Sequence, residues 1–143
     1  MVFINTKDMT QRLCKRLKDA GYPAECLHGD MRQSVRNEVM QGFRKGKFQI
    51  LLATDVAARG IDVDDVEAVI NYDLPNENEY YLHRIGRTGR AKRHGVAFTL
   101  LTYTESVRFD EILKYIMAKP IPLHFDEMGI LCKEDGEPFF ENM

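Results

Sequence analysis

Short apolar runs alternate with longer stretches in which apolar residues return every three or four positions. Val2-Phe3-Ile4 is the first run, a brief strand. Over residues 7–20, Met9, Leu13, Leu17 and Ala20 lie on one helical face, and Gly21 supplies a stop. Residues 24–28 read as a second strand. Asp30 and Gln33 then have capping-box spacing, with a carboxylate in place of the usual hydroxyl. A helix is predicted to open there and to turn Val35, Val39, Met40 and Phe43 inward. Residues 49–53 and 68–72 supply the third and fourth strands. A short helix from about Asn78 carries Tyr80, Tyr81 and Leu82, and residues 96–101 form a fifth strand after the turn pair His94-Gly95. Thr102 and Glu105 repeat the capping-box spacing. The helix they open buries Phe109, Ile112, Leu113 and Ile116 and ends at Pro120, which cannot continue it.

Strands alternating with helices predict a mainly parallel sheet joined by helical crossovers and flanked by helices, a three-layer α/β domain. There are no internal repeats. Residues 121–143 break the pattern: they are acidic, contain proline and carry the pair Phe139-Phe140. Three readings stay open for them: a linker, an edge element and a flexible end.

Composition adds little to the fold but narrows the function. The 143 residues suit one domain, and 44% hydrophobic with 29% charged residues is ordinary for a globular protein. Cys14, Cys26 and Cys132 are odd in number and too scattered for a zinc site or a disulfide framework, so no metal site and a reducing compartment are expected. No apolar run reaches the roughly 18 residues of a membrane span, and no signal-peptide pattern opens the chain; a cytoplasmic location without membrane contact is the expectation. The net charge of −2 hides an asymmetry: residues 105–143 hold nine acids and four bases, which leaves sixteen bases and thirteen acids in residues 1–104. An excess of +3 is modest, so any polyanion must be held by a local patch.

One candidate patch is His83-Arg84-Ile85-Gly86-Arg87-Thr88-Gly89-Arg90, with three arginines at three-residue intervals and no acid anywhere from Tyr80 to Val96. Guanidinium forks match phosphate bidentately and keep their charge. A solvated basic helix end is the plainer alternative, but each glycine inside a helix costs about 1 kcal/mol, which favours a phosphate site. A second candidate follows the run Ile50-Leu51-Leu52-Ala53, where Thr54-Asp55-Val56-Ala57-Ala58-Arg59-Gly60-Ile61-Asp62 begins at once. Hydroxyl, carboxylate and glycine directly after a buried parallel strand mark a carboxyl end that carries function.

Together these two strings closely resemble two signature motifs of the DEAD-box RNA helicases, both from the second, C-terminal RecA-like domain. Phe3-Ile4-Asn5-Thr6 and the run from His28-Gly29-Asp30 to Gln33-Ser34-Val35-Arg36 match two more, and the likeness covers about residues 2–118. It implies a RecA-like (P-loop NTPase-like) domain over 1–120, beginning later than the family's usually does, with 121–143 as a separate tail. By resemblance, ATP with Mg binds between this half and an N-terminal RecA-like domain that holds the metal and the P-loop. Arg87 and Arg90 would then be catalytic arginine fingers on the γ-phosphate, and Asp62 would accept hydrogen bonds from the ribose. Arg59 and His83 would couple the two domains. Asn5, Thr6, Gly29, Arg36 and Thr54 would meet RNA backbone. Without the motif, Asp62 is a solvated turn carboxylate, His83 an ordinary half-buried histidine and Arg36 a solvated helix arginine.

The resemblance therefore predicts half of a monomeric ATP-dependent RNA helicase, inactive alone. Residues 42–48 only approximate the G-x-x-x-x-G-K-S/T loop, with one spacer too few and Phe48 where the hydroxyl belongs. Rival readings are a stand-alone adaptor that binds RNA or protein without catalysis, and half of a DNA-acting helicase of the wider superfamily.

Overall fold

The computed structural model describes residues 1–59, 63, 66–89 and 95–140. The chain forms two compact units, Met1–Ile112 and Leu113–Met143. In the first, five strands make one parallel sheet: β1 (Val2–Phe3), β2 (Ala24–Leu27), β3 (Ile50–Ala53), β4 (Ala68–Asn71) and β5 (Val96–Thr99), in the spatial order β2-β3-β1-β4-β5. Val2 lies opposite both Leu52 and Ile70, which sets β1 at the centre.

This order explains the layers. The chain leaves β1 for one edge and afterwards works back across the sheet, so right-handed crossovers place the first helix on one face and the later ones on the other. Helix α1 (Lys7–Asp19) packs Met9, Leu13, Cys14 and Leu17 against Val2, Ile4 and Leu52. Helices α2 (Gln33–Arg44) and α3 (Asp55–Ala58) cover the opposite face, where Met40, Ala57 and Ala58 meet Phe3, Leu27, Leu51 and Val69. Helix α4 (Asn78–Ile85) joins that side, with the Tyr81 hydroxyl 2.8 Å from Thr99 Oγ1. Leu52 is fully buried in the central layer. Leu52→Ala is expected to cost about 2–5 kcal/mol, seen as a lower urea midpoint at unchanged slope; an unshifted midpoint would contradict this placement.

Two local expectations are corrected. Helix α2 begins at Gln33 behind Arg32, whose side chain makes no capping bond, so Asp30 and Gln33 form no box. Asp30 instead pairs with Lys7 at the start of α1. With that start Val35 is left 40% exposed, while Val39 and Phe43 still pack on the core. At Thr102 the reading holds: its backbone N–H donates to the Glu105 carboxylate at 3.0 Å, opening a 3₁₀ turn (Tyr103–Glu105) that runs into α5 (Ser106–Ile116). The last helix stops before Pro120, because Met117 takes a left-handed conformation at φ 56.

In the second unit, β6 (Leu123–Phe125) and β7 (Leu131–Lys133) form an antiparallel hairpin. Asp126 builds its turn, accepting from the N–H groups of Met128 and Ile130 at 2.9 and 2.8 Å, with Gly129 at φ 80. Strands of three residues carry too little alternation to be seen in the sequence. No helix among the described residues is long and apolar enough to cross a membrane.

Candidate functional site at the carboxyl edge of the sheet

Parallel strands bring their carboxyl ends to one edge, and there the fold collects the residues that follow β1, β2, β3 and β4. Such an edge is where open α/β sheets bind ligands. Thr6 follows β1 and caps α1, its hydroxyl accepting from Met9 N–H at 3.3 Å. Asn5 beside it is held from all sides. Its N–H donates to both oxygens of Asp73, Nδ2 donates to the Leu74 carbonyl, and Oδ1 accepts from Arg84 at 2.7 Å. Gly29 follows β2 and faces open space, so the backbone is accessible to a ligand there. His28 is buried and meets Gln11 at 3.1 Å through Nε2, while its Nδ1 has no partner among the described residues.

Thr54 follows β3 and caps α3, accepting from Ala57 N–H at 3.2 Å, which leaves its hydroxyl proton available as a donor. Arg36 reaches across from α2 and donates through Nη2 to the Ala57 carbonyl at 2.9 Å. Its Nε is buried with no partner among the described residues. A guanidinium N–H on α2, a hydroxyl proton after β3 and an open glycine after β2 are donor types suited to phosphate.

Arg87 bonds the next carbonyl of α3. Nη2 donates to the Ala58 carbonyl at 2.9 Å, and Nη1 lies 3.4 Å from the carbonyl of Val63, the residue after Asp62. Arg59 stacks its guanidinium 4.7 Å from the ring centroid of Tyr80 and so ties the end of α3 to α4. His83 is exposed on the last turn of α4. Asp62 and Arg90 lie outside the described residues.

The structure also explains the glycines among the arginines. Helix α4 ends at Ile85, Gly86 is its C-cap, and Gly89 adopts φ 73, so none of them interrupts a helix. Gly95 is needed for a different reason: a Cβ there would sit 2.4 Å from the Gly89 nitrogen.

One expectation is corrected here: Arg84, counted in the sequence among three arginines that meet a phosphate, is 0% exposed and its guanidinium is spent on internal partners. Nε and Nη2 clasp the two oxygens of Asp55 at 2.8 Å each, Nη1 donates to the Asp73 carbonyl at 2.7 Å, and the Phe3 ring lies 5.5 Å away. Burial pushes the Asp73 carboxyl above its usual range, against the opposing pull of the Asn5 N–H and Arg84. A signal was present in the chain: Arg84 falls three residues after the inward-facing Tyr81, and an inward arginine requires a buried acid. At the rim, the hydrogen bond from Lys7 holds the Asp30 carboxyl below its ordinary range and raises Lys7 in return.

Comparison with known proteins accords with this fold. A family model described as the helicase conserved C-terminal domain matches residues 1–92. The chain is similar to the ATP-dependent RNA helicase FAL1 of Candida glabrata, 46% identical over 131 residues that make up 90% of this chain and 33% of that protein. It thus spans about a third of the length of such curated relatives. Among solved structures, a DEAD box protein of Methanococcus jannaschii is 45% identical with a TM-score of 0.77, over 82% of this chain and 32% of that one. The Escherichia coli DEAD-box protein SrmB, solved bound to regulator of ribonuclease activity A, is 35% identical with a TM-score of 0.78, over 98% and 78% of the two chains.

Proposed function

The chain belongs to the DEAD-box RNA helicases, as their helicase conserved C-terminal domain, and from that premise we propose that it serves as the second RecA-like half of an ATP-dependent enzyme that opens RNA duplexes or remodels RNA–protein complexes. The observation that carries this reading is that Arg87, beside Val63 and so next to Asp62 in sequence, is bonded to the same short helix as Thr54 and Arg36. One edge of the sheet thereby offers a face for nucleotide and a face for RNA.

Each residue then has a task. Arg87 and Arg90 neutralise charge on the γ-phosphate held by the N-terminal domain, and Asp62 accepts from the ribose hydroxyls. Thr54, Thr6, Arg36 and the open backbone at Gly29 meet RNA phosphates, while Asn5 keeps the end of β1 in place for them. Arg59 and His83 face the opposite domain on closure. Bound ATP supplies the phosphoanhydride chemistry, and its Mg is held by residues of the other domain.

Backbone binding by this half alone is testable through salt. About four phosphates neutralised on a single strand give a log–log slope of binding against salt near −3, roughly −0.7 for each. Fluorescence anisotropy with labelled single-stranded RNA from about 50 to 200 mM salt measures it, with Arg36→Gln expected to flatten the slope by about one contact. A slope near zero, or one insensitive to Arg36, would remove the RNA face from this edge.

A further inference from the structure

The functions proposed above leave Arg84 without a task, although it is the largest fully buried side chain among the described residues. We infer that Arg84 is a positioning residue that locks α3 to the ends of β1 and β4, so that the RNA-facing and nucleotide-facing groups share one rigid turn. The inference rests on the proposed function and extends it.

Three observations carry it. Arg84 is out of reach of solvent, so it touches neither RNA nor nucleotide itself. Its hydrogen bonds go to Asn5, Asp55 and Asp73, which follow β1, β3 and β4. Stability alone is a poor reason for a buried ion pair, because apolar residues of the same volume often do as well or better. A planar fork that fixes three loops in one orientation is something apolar packing does not provide.

The third observation is what α3 holds. Four residues are too few for a helix to sustain itself. It is fastened from outside by three arginines: Arg36 on the Ala57 carbonyl, Arg87 on the Ala58 carbonyl and Arg84 on the Asp55 carboxylate. Thr54 closes its amino end. Any shift of α3 therefore moves Thr54, Arg36 and Arg87 together. The Arg84 clasp ties the turn by hydrogen bonds to the end of the central strand β1, through Asn5.

The test uses this chain joined to an amino-terminal RecA-like domain. Arg84→Lys keeps the charge and loses the fork. Misplacing a catalytic group by about 1 Å costs on the order of 10²-fold, so the folded variant should lose about that factor in RNA-stimulated kcat. Its KM for ATP should change by less than about threefold, since the groups that bind nucleotide remain. Asp55→Asn, which keeps one acceptor for the fork, should lose about tenfold in the same parameter, and the double variant should be no worse than Arg84→Lys alone. Thermal unfolding measured alongside gives the folded fraction, and if Arg84→Lys does not fold, Asp55→Asn carries the test through the same split of kcat from KM. Retention of RNA-stimulated kcat within a few-fold, or a loss that only tracks the folded fraction, overturns the positioning role. A wild-type protein without RNA-stimulated ATP turnover would instead refute the proposed function and leave the Arg84 clasp as architecture.

Discussion

Arg87→Ala, in a protein joining this chain to an amino-terminal RecA-like domain, is expected to lower RNA-stimulated kcat by about 10³–10⁵-fold. A finger arginine acts where charge develops in the transition state, and alanine removes its permanently charged planar fork outright. Its bond to the Ala58 carbonyl and its approach to the Val63 carbonyl hold the guanidinium against the end of α3. Lysine should restore little, because an ammonium cannot keep that bond and reach a phosphate at once. Loss of these bonds should also cost about 1–3 kcal/mol of stability, so unfolding must be measured beside turnover. The salt slope for RNA should stay where it was, since the proposed function gives Arg87 to the nucleotide. A variant that turns over within about tenfold of wild type would remove Arg87 from the reaction, because one lost finger is worth at least about 10³.

Equally large is the effect expected from the chain by itself. Supplied with ATP, Mg and RNA, the 143 residues should show no turnover above background, and adding the amino-terminal domain should restore RNA-stimulated hydrolysis. Enzymes exceed the uncatalysed rate by about 10⁶-fold or more, so the difference is between presence and absence of catalysis. Residues 42–48 are the nearest approach to a phosphate-binding loop, and the fold gives them other work. Gly42 closes α2 against Phe48, whose ring would lie 3.0 Å from a Cβ there. The N–H groups of Lys45, Gly46 and Lys47 donate to carbonyls of Gln41, Phe43 and Gly42, so none is free to cradle a phosphate. The stretch also precedes β3, at the edge of the sheet opposite Thr54. A colorimetric phosphate assay decides the matter, and hydrolysis by the isolated chain would contradict the division of labour between two domains.

Much of this architecture is legible along the chain because its causes are local. Apolar runs at Val2, Leu51 and Val69 and helical spacing at Met9, Leu13 and Leu17 depend only on near neighbours. The same holds for Thr102 and Glu105, whose capping contact spans three residues. Asp30 misled for the opposite reason. It has the right spacing from Gln33, but Lys7, 23 residues away, is the partner it takes. The hairpin of residues 123–133 was invisible because its strands are short and its turn depends on one aspartate side chain.

The order of elements and the hydroxyl, glycine and arginine residues at strand ends are legible in the chain, since each depends on a few neighbouring positions, and the alternation of strand with helix implies the mainly parallel pairing. Tertiary structure alone decided which arginine goes inside. Arg84 and Arg87 look alike in the string, yet one is sealed beneath Asp55 and Asn5 while the other lies beside Val63. Burial of a charge is settled by partners such as Asn5, 79 residues distant, and only the folded sheet brings them within 2.7 Å.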